Sequence, residues 1–174
     1  MASRKPDTQL AVRAVTMDDI DEYCEIFEQP LAIWGTLQRP HLSRAKRAQW
    51  LRESLDDDNR SMLGAVIDGR LVGSLGLEVS TNPRVRHIAS FGMAVHDDFQ
   101  GRGAGRALVK AAIDLCDNWL QVRRIVIDCF VDNEPAVALY RSCGFEVEGT
   151  HPLAAFRDGE YVATHTMARL RDPA

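Results

Sequence analysis

Residues 87–119, HIASFGMAVHDDFQGRGAGRALVKAAIDLCDNW, decide how this chain folds. The apolar stretch 87–95 is typical of a β-strand, and the pattern from about 103 to 119 predicts an amphipathic helix. Between them lie three glycines, Gly101, Gly103 and Gly105. Because glycine has no Cβ atom, its backbone adopts conformations that other residues resist and can approach a ligand closely. We therefore predict a strand, a tight turn and a helix in direct succession.

The start of the predicted helix is suited to an anion. The first N–H groups of a helix have no acceptor within it, and the positive end of the helix dipole lies behind them. An anion such as a pyrophosphate would fit at this turn. A glycine-rich turn that binds nothing is the alternative, although three glycines cost conformational entropy without an evident structural need.

Two other phosphate-binding motifs match residues 100–105, QGRGAG, less well. A Walker loop has a Lys followed by Ser or Thr after its last glycine, whereas Arg106 and Ala107 stand here. A dinucleotide-binding fingerprint has a glycine at its sixth position, which Arg106 occupies in this chain. The Walker motif is therefore excluded and the dinucleotide fingerprint is disfavoured.

Two motifs together resemble those of a known family. Residues 100–105 resemble the Q/R-x-x-G-x-G/A signature of the GNAT acyltransferase superfamily, and residues 133–145 resemble its second acyl-CoA motif, N-x-x-A-x-x-L-Y-x-x-x-G-F. The motifs stand in the expected order, separated by a predicted helix and strand. The resemblance extends from Thr36-Leu37-Gln38 to the segment 157–161, RDGEY, and over most of the chain it is to the bacterial L-amino-acid N-acetyltransferase subgroup.

The resemblance implies a single-domain GNAT fold of the α/β (α+β) class. This fold has a mixed, mostly antiparallel sheet of about seven strands with helices on both faces. Two parallel strands splay apart in it, and acyl-CoA lies in the opening. The residue patterns predict strands at 9–15, 61–67, 71–79, 87–95, 123–131, 145–150 and 160–169. The unit 87–131 should be a right-handed parallel crossover.

Local signals predict details of the helices and turns. Helix caps or ends are predicted at Thr16 with Asp19, Ser43, Asn133 and Gly144, and a hairpin turn at Asp68-Gly69. The stretch 31–42 lacks a clean period, which predicts a loop or short broken helix of the kind that often lines a binding site. A core stripe is predicted for Leu108, Ala112, Leu115 and Trp119. A solvated helix face is predicted for Arg39, Arg44, Lys46 and Arg47.

The resemblance implies acetyl-CoA as a co-substrate and assigns residues to it. The turn amides and their arginines would hold the pyrophosphate, and backbone groups of Met93 and Val95 would pair with the pantetheine arm. The full predicted set is Met93, Val95, Gln100, Gly101, Arg102, Gly103, Gly105, Arg106, Asn133, Ala136 and Tyr140. Asn133 is a helix cap, a pantetheine contact, or both.

Acyl transfer from a thioester to an amine needs a proton donor for the departing thiolate, and Tyr140 is the candidate general acid. Packing of Tyr140 in the core is the alternative. Many family members have a carboxylate on the strand before the turn, but near that place stand Ala89 and Ser90. The candidate catalytic set is therefore Tyr140, Glu78 and Ser90, with His87 and Asp128 as further possible bases, directly or through water.

Substrate selection is predicted to involve Trp34, Thr36, Leu37, Gln38 and Phe91, and the segment near Phe156. Ordinary core packing is the alternative for Trp34 and Phe91. The resemblance implies a free L-amino acid, of apolar or aromatic type, as the acceptor, with an arginine or backbone amides to take its carboxylate. A peptide-like α-amine with a pKa of about 8 is roughly one-tenth neutral at pH 7, whereas a lysine amine is neutral less than about once in a thousand. An α-amine therefore asks less of a weak base.

Two other functions stay open at this point. The enzyme could act on another amine, namely a polyamine, an aminoglycoside or a protein N-terminus. The domain could also bind acyl-CoA without catalysis, as a sensor or interaction module. Loss of Tyr140 or of the glycine turn would favour such a module, and both are intact.

Size and composition bound the remaining questions. The 174 residues predict one domain at 9–170 after a flexible N-terminus at 1–8. No run approaches 18 apolar residues and the start MASRKPDTQL has no apolar signal segment, so a cytoplasmic location is expected. The four scattered cysteines predict neither zinc nor disulfides, and we expect no metal. A net charge of −4 disfavours nucleic acid, and a homodimer is the default oligomer.

Overall fold

The computed structural model describes residues 9–171, so the predicted flexible segment 1–8 lies outside the described residues. Within them the strands are β1 (Leu10–Ala14), β2 (Arg60–Ile67), β3 (Arg70–Val79), β4 (Ile88–Val95), β5 (Arg124–Phe130), β6 (Glu146–Arg157) and β7 (Glu160–Leu170). The helices are α1 (Ile20–Glu28), α2 (Pro30–Gly35), α3 (Arg44–Leu55), α4 (Ala104–Asn118) and α5 (Glu134–Ser142), with 3₁₀ turns at Met17–Asp19 and Asp97–Phe99.

The strands form one seven-stranded sheet in the order β1-β2-β3-β4-β5-β7-β6. Every neighbouring pair is antiparallel except β4 and β5, which are parallel. Their pairing covers only residues 88–90 of β4 and 124–126 of β5, after which the two strands separate. The predicted fold class and the splayed parallel pair are both confirmed.

Helices cover both faces of the sheet and divide the core in two. On one face, Leu108 and Ala112 of α4 and Val137 of α5 pack against β2 to β5 and Met167 of β7. On the other face, buried residues of α1, α2 and α3 pack against Met62 of β2, Leu71 of β3 and Ala94 of β4. The alternation of side chains along each strand supplies apolar groups to both cores.

Several local predictions are confirmed by the structure. Asp68 and Gly69 both have positive φ, +51° and +86°, as a tight hairpin between β2 and β3 requires. Ser43 caps α3 by accepting from the Lys46 N–H at 3.3 Å. The carboxylate of Asp19 accepts from the Thr16 N–H at 2.8 Å, so the capping signal before α1 was correct.

Three expectations were wrong, and each error has a tertiary cause. Trp119 is 74% exposed because α4 ends at Asn118 and the chain leaves the helical path, so it is not on the core stripe. Arg47 is only 4% exposed, since α3 turns it under the neighbouring α1, so it is not on a solvated face. β6 runs on to Arg157 rather than ending at residue 150, because a register shift between His151 and Ala155 accommodates the irregular middle.

No helix among residues 9–171 has both the length and the apolar character that crossing a membrane would need.

Candidate active site

A cleft of about 910 Å³ opens where β4 and β5 separate. Its walls come from both of these strands, the start of α4, α5, and the layer formed by α1, α2 and α3. The turn at 100–106 follows β4 and forms one end, which we call the turn end. The opposite end of the cleft, which we call the sheet end, lies at the start of β4. Glu78 of β3 and Ser90 of β4, which are cross-strand partners, lie toward this end.

The turn end has the backbone of an anion site. Gly101 and Gly103 have φ of +73° and +88°, the left-handed region that glycine adopts without strain. Among the described residues, the N–H groups of 101–106 donate to no acceptor, and α4 begins there at Ala104. The positive end of the α4 dipole lies behind these donors, so the turn fits a diphosphate.

Close packing leaves little room for a side chain at Gly105. A Cβ atom there would stand 3.3 Å from Leu139 Cδ2 and 3.3 Å from Met93 Cε, which is tighter than ordinary contact. The glycine therefore lets the start of α4 approach both α5 and β4. This approach brings the turn, β4 and α5 to one cleft.

The edge of β4 offers unpaired backbone groups to the cleft. His96 donates its N–H to Val72 and Ile88 accepts from Ser80, so even-numbered residues direct their backbone groups to β3. The odd-numbered residues Met93 and Val95 therefore direct theirs to the side of β5, which no longer pairs there. An extended ligand can bind this edge as an additional strand.

Tyr140 lies on α5 at the wall of the cleft. It is 8% exposed, and its ring centroid stands 6.0 Å from that of Phe91 and 5.9 Å from that of Phe145. Burial raises the pKa of Tyr140 above the ordinary tyrosine value, with a smaller contribution from the thiols of Cys129 and Cys143. The phenol therefore keeps its proton at neutral pH and can act as a proton donor.

The entrance of α5 is fixed by Asn133. Its Oδ1 accepts from the Ala136 N–H at 3.3 Å, so Asn133 is the helix cap. A Cβ atom at Gly35 would stand 3.1 Å from Asn133 Nδ2, so the end of α2 closes against this cap. Gly35, Asn133 and Ala136 all line the cleft.

The floor of the cleft carries small and polar side chains on one face of β3 and β4, from Ala94 near the turn end to Ser90 at the sheet end. Ser74, Gly76 and Glu78 pair across the strands with Ala94, Gly92 and Ser90. These six residues form a floor, and a wall of larger groups stands around it: Tyr23, Phe27, Trp50 and Met62. The sheet end is thus a hollow with mostly apolar and aromatic sides and a few polar groups on its floor.

The candidate bases at the sheet end already have partners. Glu78 Oε2 lies 3.0 Å from Arg60 Nη2. Asp128 Oδ1 accepts from the Thr166 hydroxyl at 2.7 Å. Both acids line the cleft, as does Ser90, whereas His87 is exposed before β4 and is not among the lining residues.

The sequence of this chain matches the model of a known protein family. The acetyltransferase (GNAT) family model matches residues 21–145. The chain belongs to this family. It is therefore a GNAT N-acetyltransferase, and the predicted family resemblance is confirmed.

Relatives of this acetyltransferase have different acceptors in their names. The L-amino acid N-acetyltransferase AaaT of Escherichia coli (strain K12) is 39% identical over 164 residues, which cover 94% of this chain and 99% of that protein. The structure of spermidine N-acetyltransferase from Vibrio cholerae in complex with CoA and spermine has a TM-score of 0.83 and 24% identity, covering 93% of this chain and 95% of that one. A phosphinothricin acetyltransferase from Sinorhizobium meliloti in complex with AcCoA has a TM-score of 0.81 and 20% identity, covering 92% and 88%.

The cleft of this acetyltransferase brings together most of the predicted site residues. Those that line it are Glu78, Ser90, Phe91, Met93, Val95, Gln100, Gly101, Gly103, Gly105, Arg106, Asn133, Ala136, Tyr140, Thr36, Leu37 and Gln38. Arg102 is not among them, and its guanidinium lies 4.9 Å from the centroid of the Phe99 ring. Trp34 is not among them either, and Arg157 covers its ring at 4.0 Å. The role of each residue stays a prediction.

Sequence reasoning missed much of the sheet end of the acetyltransferase. Tyr23, Phe27, Trp50, Met62 and Ser74 come from four elements far apart in the chain. Ser74 is 1% exposed, and its hydroxyl has no hydrogen-bond partner among the described residues. The alternation of Ser74, Gly76 and Glu78 along one strand was the signal available, since it puts small or polar residues on one face.

A metal-binding group is not found in the described part of the acetyltransferase: no cluster of three His, Cys, Asp or Glu side chains lies there with suitable spacing.

Proposed function

We propose that this acetyltransferase transfers the acetyl group of acetyl-CoA to the α-amine of a free L-amino acid by direct attack. The observation that carries the proposal is the one cleft that joins a glycine turn with unpaired N–H groups, an open strand edge, a buried phenol and a hollow with mostly apolar sides. The 39% identity to an L-amino acid N-acetyltransferase over nearly the whole chain supports the same acceptor.

The turn end and the edge of β4 suit the coenzyme. The N–H groups of the turn would hold the diphosphate, with Arg106 adding a positive charge at the cleft. The backbone groups of Met93 and Val95 would hold the pantetheine arm beside β4. When bound, acetyl-CoA supplies the activated acetyl group as a thioester. A fixed N–H on this edge would also stabilise negative charge on the acyl oxygen with little reorganisation.

The phenol of Tyr140 is the proposed proton donor for the departing sulfur. Its raised pKa keeps the proton in place, and Tyr140 lines the same cleft as Met93 and Val95 of the open strand edge. A positioned acid typically contributes about 10²- to 10⁴-fold to the rate.

The sheet end suits an amine with an apolar side chain. Tyr23, Phe27, Trp50 and Met62 offer apolar and aromatic surface to the side chain. Glu78, Ser90 and Asp128 are the groups that can orient the amine or take its proton, directly or through water.

A polyamine is a weaker candidate acceptor for this cleft. Clefts that bind polycations are expected to carry unpaired acidic groups, because each ammonium must be compensated. Here the carboxylate of Glu78 is paired with Arg60, which itself lines the cleft, so among the described residues Asp128 is the one acid of the lining without an ion pair. An amino acid substrate has a single α-amine that reacts in its neutral form, so it does not require several unpaired acidic groups in the cleft.

The proposal predicts the result of an amine screen. Free L-amino acids, spermidine, an aminoglycoside and a peptide with a free N-terminus are each offered with acetyl-CoA, and thiol release is followed. We expect turnover with L-amino acids that have apolar or aromatic side chains, and turnover lower by at least about ten-fold with the other amines, since a single mismatched contact is worth that factor. CoA binding without acetylation of any amino acid would contradict the proposal.

The pH dependence of kcat/KM should follow the ionisation of the substrate amine and not that of the Tyr140 phenol. Because burial raises the pKa of Tyr140, the acid stays protonated at pH values where an ordinary tyrosine would ionise, near 10. The kcat/KM for the amino acid should therefore rise with pH as the amine loses its proton. It should show no falling limb below about pH 10. Steady-state rates between pH 6 and about 10 test this, and a basic limb with a midpoint well below 10 would count against Tyr140 as the acid.

A cytoplasmic location and a homodimer remain proposals that rest on the sequence alone.

A further inference from the structure

Arg47 is a buried guanidinium without an acidic partner. It is 4% exposed, and among residues 9–171 it forms no ion pair. Its Nη2 donates to the Phe27 carbonyl at 3.0 Å and its Nη1 to Gln38 Oε1 at 3.1 Å, while its Nε has no hydrogen-bond partner. A buried charge that lacks a counter-ion is costly unless something else compensates it.

The position of Arg47 links this charge to the cleft. Both residues that accept its hydrogen bonds, Phe27 and Gln38, line the cleft. The guanidinium also lies 5.7 Å from the centroid of the Phe27 ring. The positive charge is therefore directly behind the cleft wall, where solvent screens it less than at the surface.

The hydrogen bond from Arg47 fixes the orientation of the Gln38 side-chain amide. An arginine side chain can only donate hydrogen bonds, so the atom of Gln38 next to it must be the carbonyl oxygen. The NH₂ group of Gln38, with two donors, is therefore the end left for a ligand. An amide whose oxygen is bonded to a cation is also polarised, which makes its N–H groups better donors.

Other arginines near the cleft are already neutralised or belong to its other end. Arg60 is paired with Glu78 and Asp57. Arg157 is paired with Asp132. Arg106 lies in the turn where the diphosphate is proposed to bind. Arg47 is thus a buried positive charge behind the cleft wall that forms no ion pair of its own among residues 9–171, since the neighbouring carboxylate of Glu28 is paired with Arg44.

We propose that Gln38, backed by Arg47, binds the carboxylate of the amino acid substrate. The inference rests on the proposed function and adds the residues that distinguish an amino acid from a simple amine. Gln38 donates to the carboxylate directly. Arg47 acts through Gln38 as a positioning residue, and its charge favours an anion at this wall. Glu78 on the floor and Asp128 on β5 both line the cleft, so the cleft has an acidic side for the amine and a side near Arg47 for the carboxylate.

The test compares an amino acid with its primary amide. L-phenylalanine and L-phenylalaninamide are the first pair, and the best amino acid of the screen and its amide are the second. Each KM is expressed for the neutral amine, because the two amines differ in pKa. The wild-type enzyme should prefer the acid by about ten-fold or more, as expected for a charge-assisted hydrogen bond.

Gln38→Glu is the decisive variant because it keeps the shape and supplies Arg47 with a counter-ion. We expect the preference for the acid over the amide to fall by about ten-fold or more, through KM rather than kcat. In the absence of substrates the melting temperature should rise, since the buried guanidinium gains a partner. Gln38→Met, which removes the donors without adding charge, should raise the KM for the acid and leave that for the amide within a few-fold. Gln121→Glu adds the same charge at an exposed position away from the cleft and should change neither ratio.

The outcomes separate this inference from the proposed function. Acetylation of no free amino acid by the wild-type enzyme contradicts the proposed function. If amino acids are acetylated but the acid-to-amide ratio is the same in wild type and Gln38→Glu, the carboxylate assignment alone is wrong. A lower melting temperature of Gln38→Glu would overturn the pairing with Arg47.

Discussion

Replacing Tyr140 with phenylalanine is expected to lower kcat by about 10²-fold or more, which is the lower range of what a positioned acid contributes. The substitution keeps the aromatic ring, so the contacts with Phe91 and Phe145 remain and the fold should not change. Only the hydroxyl is lost. Without it, the sulfur must leave as an unprotonated thiolate or take its proton from water.

Rapid single-turnover measurements with acetyl-CoA and the best amino acid isolate this effect from product release. The dissociation constant for CoA, measured by calorimetry, should stay within a few-fold of wild type, since the diphosphate contacts are elsewhere. Tyr161→Phe is the matched control because Tyr161 is an exposed tyrosine that does not line the cleft. A Tyr140→Phe enzyme with wild-type kcat would mean that the phenol only fills the core.

Gly103→Ala is expected to raise the KM for acetyl-CoA by about ten-fold or more while kcat at saturation falls little. Gly103 has φ of +88°, and an L-residue in this region costs about 1–2 kcal/mol. Gly103 is also the N-cap of α4, so relief of this strain would turn the neighbouring N–H groups away from the diphosphate. Each 1.4 kcal/mol lost in binding is about a factor of ten.

Gly69→Ala is the matched control for the turn variant. Gly69 has φ of +86° in the β2–β3 hairpin, and a Cβ atom added there would meet nothing within 4 Å. Both variants should therefore lose a similar amount of stability in thermal unfolding. Only Gly103→Ala should change the KM for acetyl-CoA. If the KM for acetyl-CoA is the same in Gly103→Ala and Gly69→Ala, the turn does not hold the coenzyme.

The local parts of the site could be predicted because a short stretch of sequence contains all of their causes. The left-handed conformation at Gly101 and Gly103 is one that glycine adopts without strain, whatever the rest of the fold. Asn133 caps α5 through the N–H of a residue three positions later, which is again local. The hairpin at Asp68-Gly69 belongs to the same class, since the turn type alone dictates those residues.

Predictions failed where a residue's surroundings come from distant elements. The periodicity of α3 places Arg47 among polar neighbours, and only the packing of α1 and the loop after α2 buries it. The stripe on α4 includes Trp119 by spacing, but the helix ends one residue earlier. Neither the burial of Arg47 nor the exposure of Trp119 can be predicted from the local sequence pattern, because burial depends on which other elements pack against a residue.

The sequence by itself determined the turn, the caps, the order of strands and helices, and the family, since each depends on a few consecutive residues or on two spaced motifs. The tertiary structure alone decided at which residues the splayed strands β4 and β5 part, that four elements close around the sheet end, and that a lone guanidinium lies behind Gln38. The physical reason is that backbone conformation is set by neighbours in the chain, whereas a pocket and its charge are set by neighbours in space.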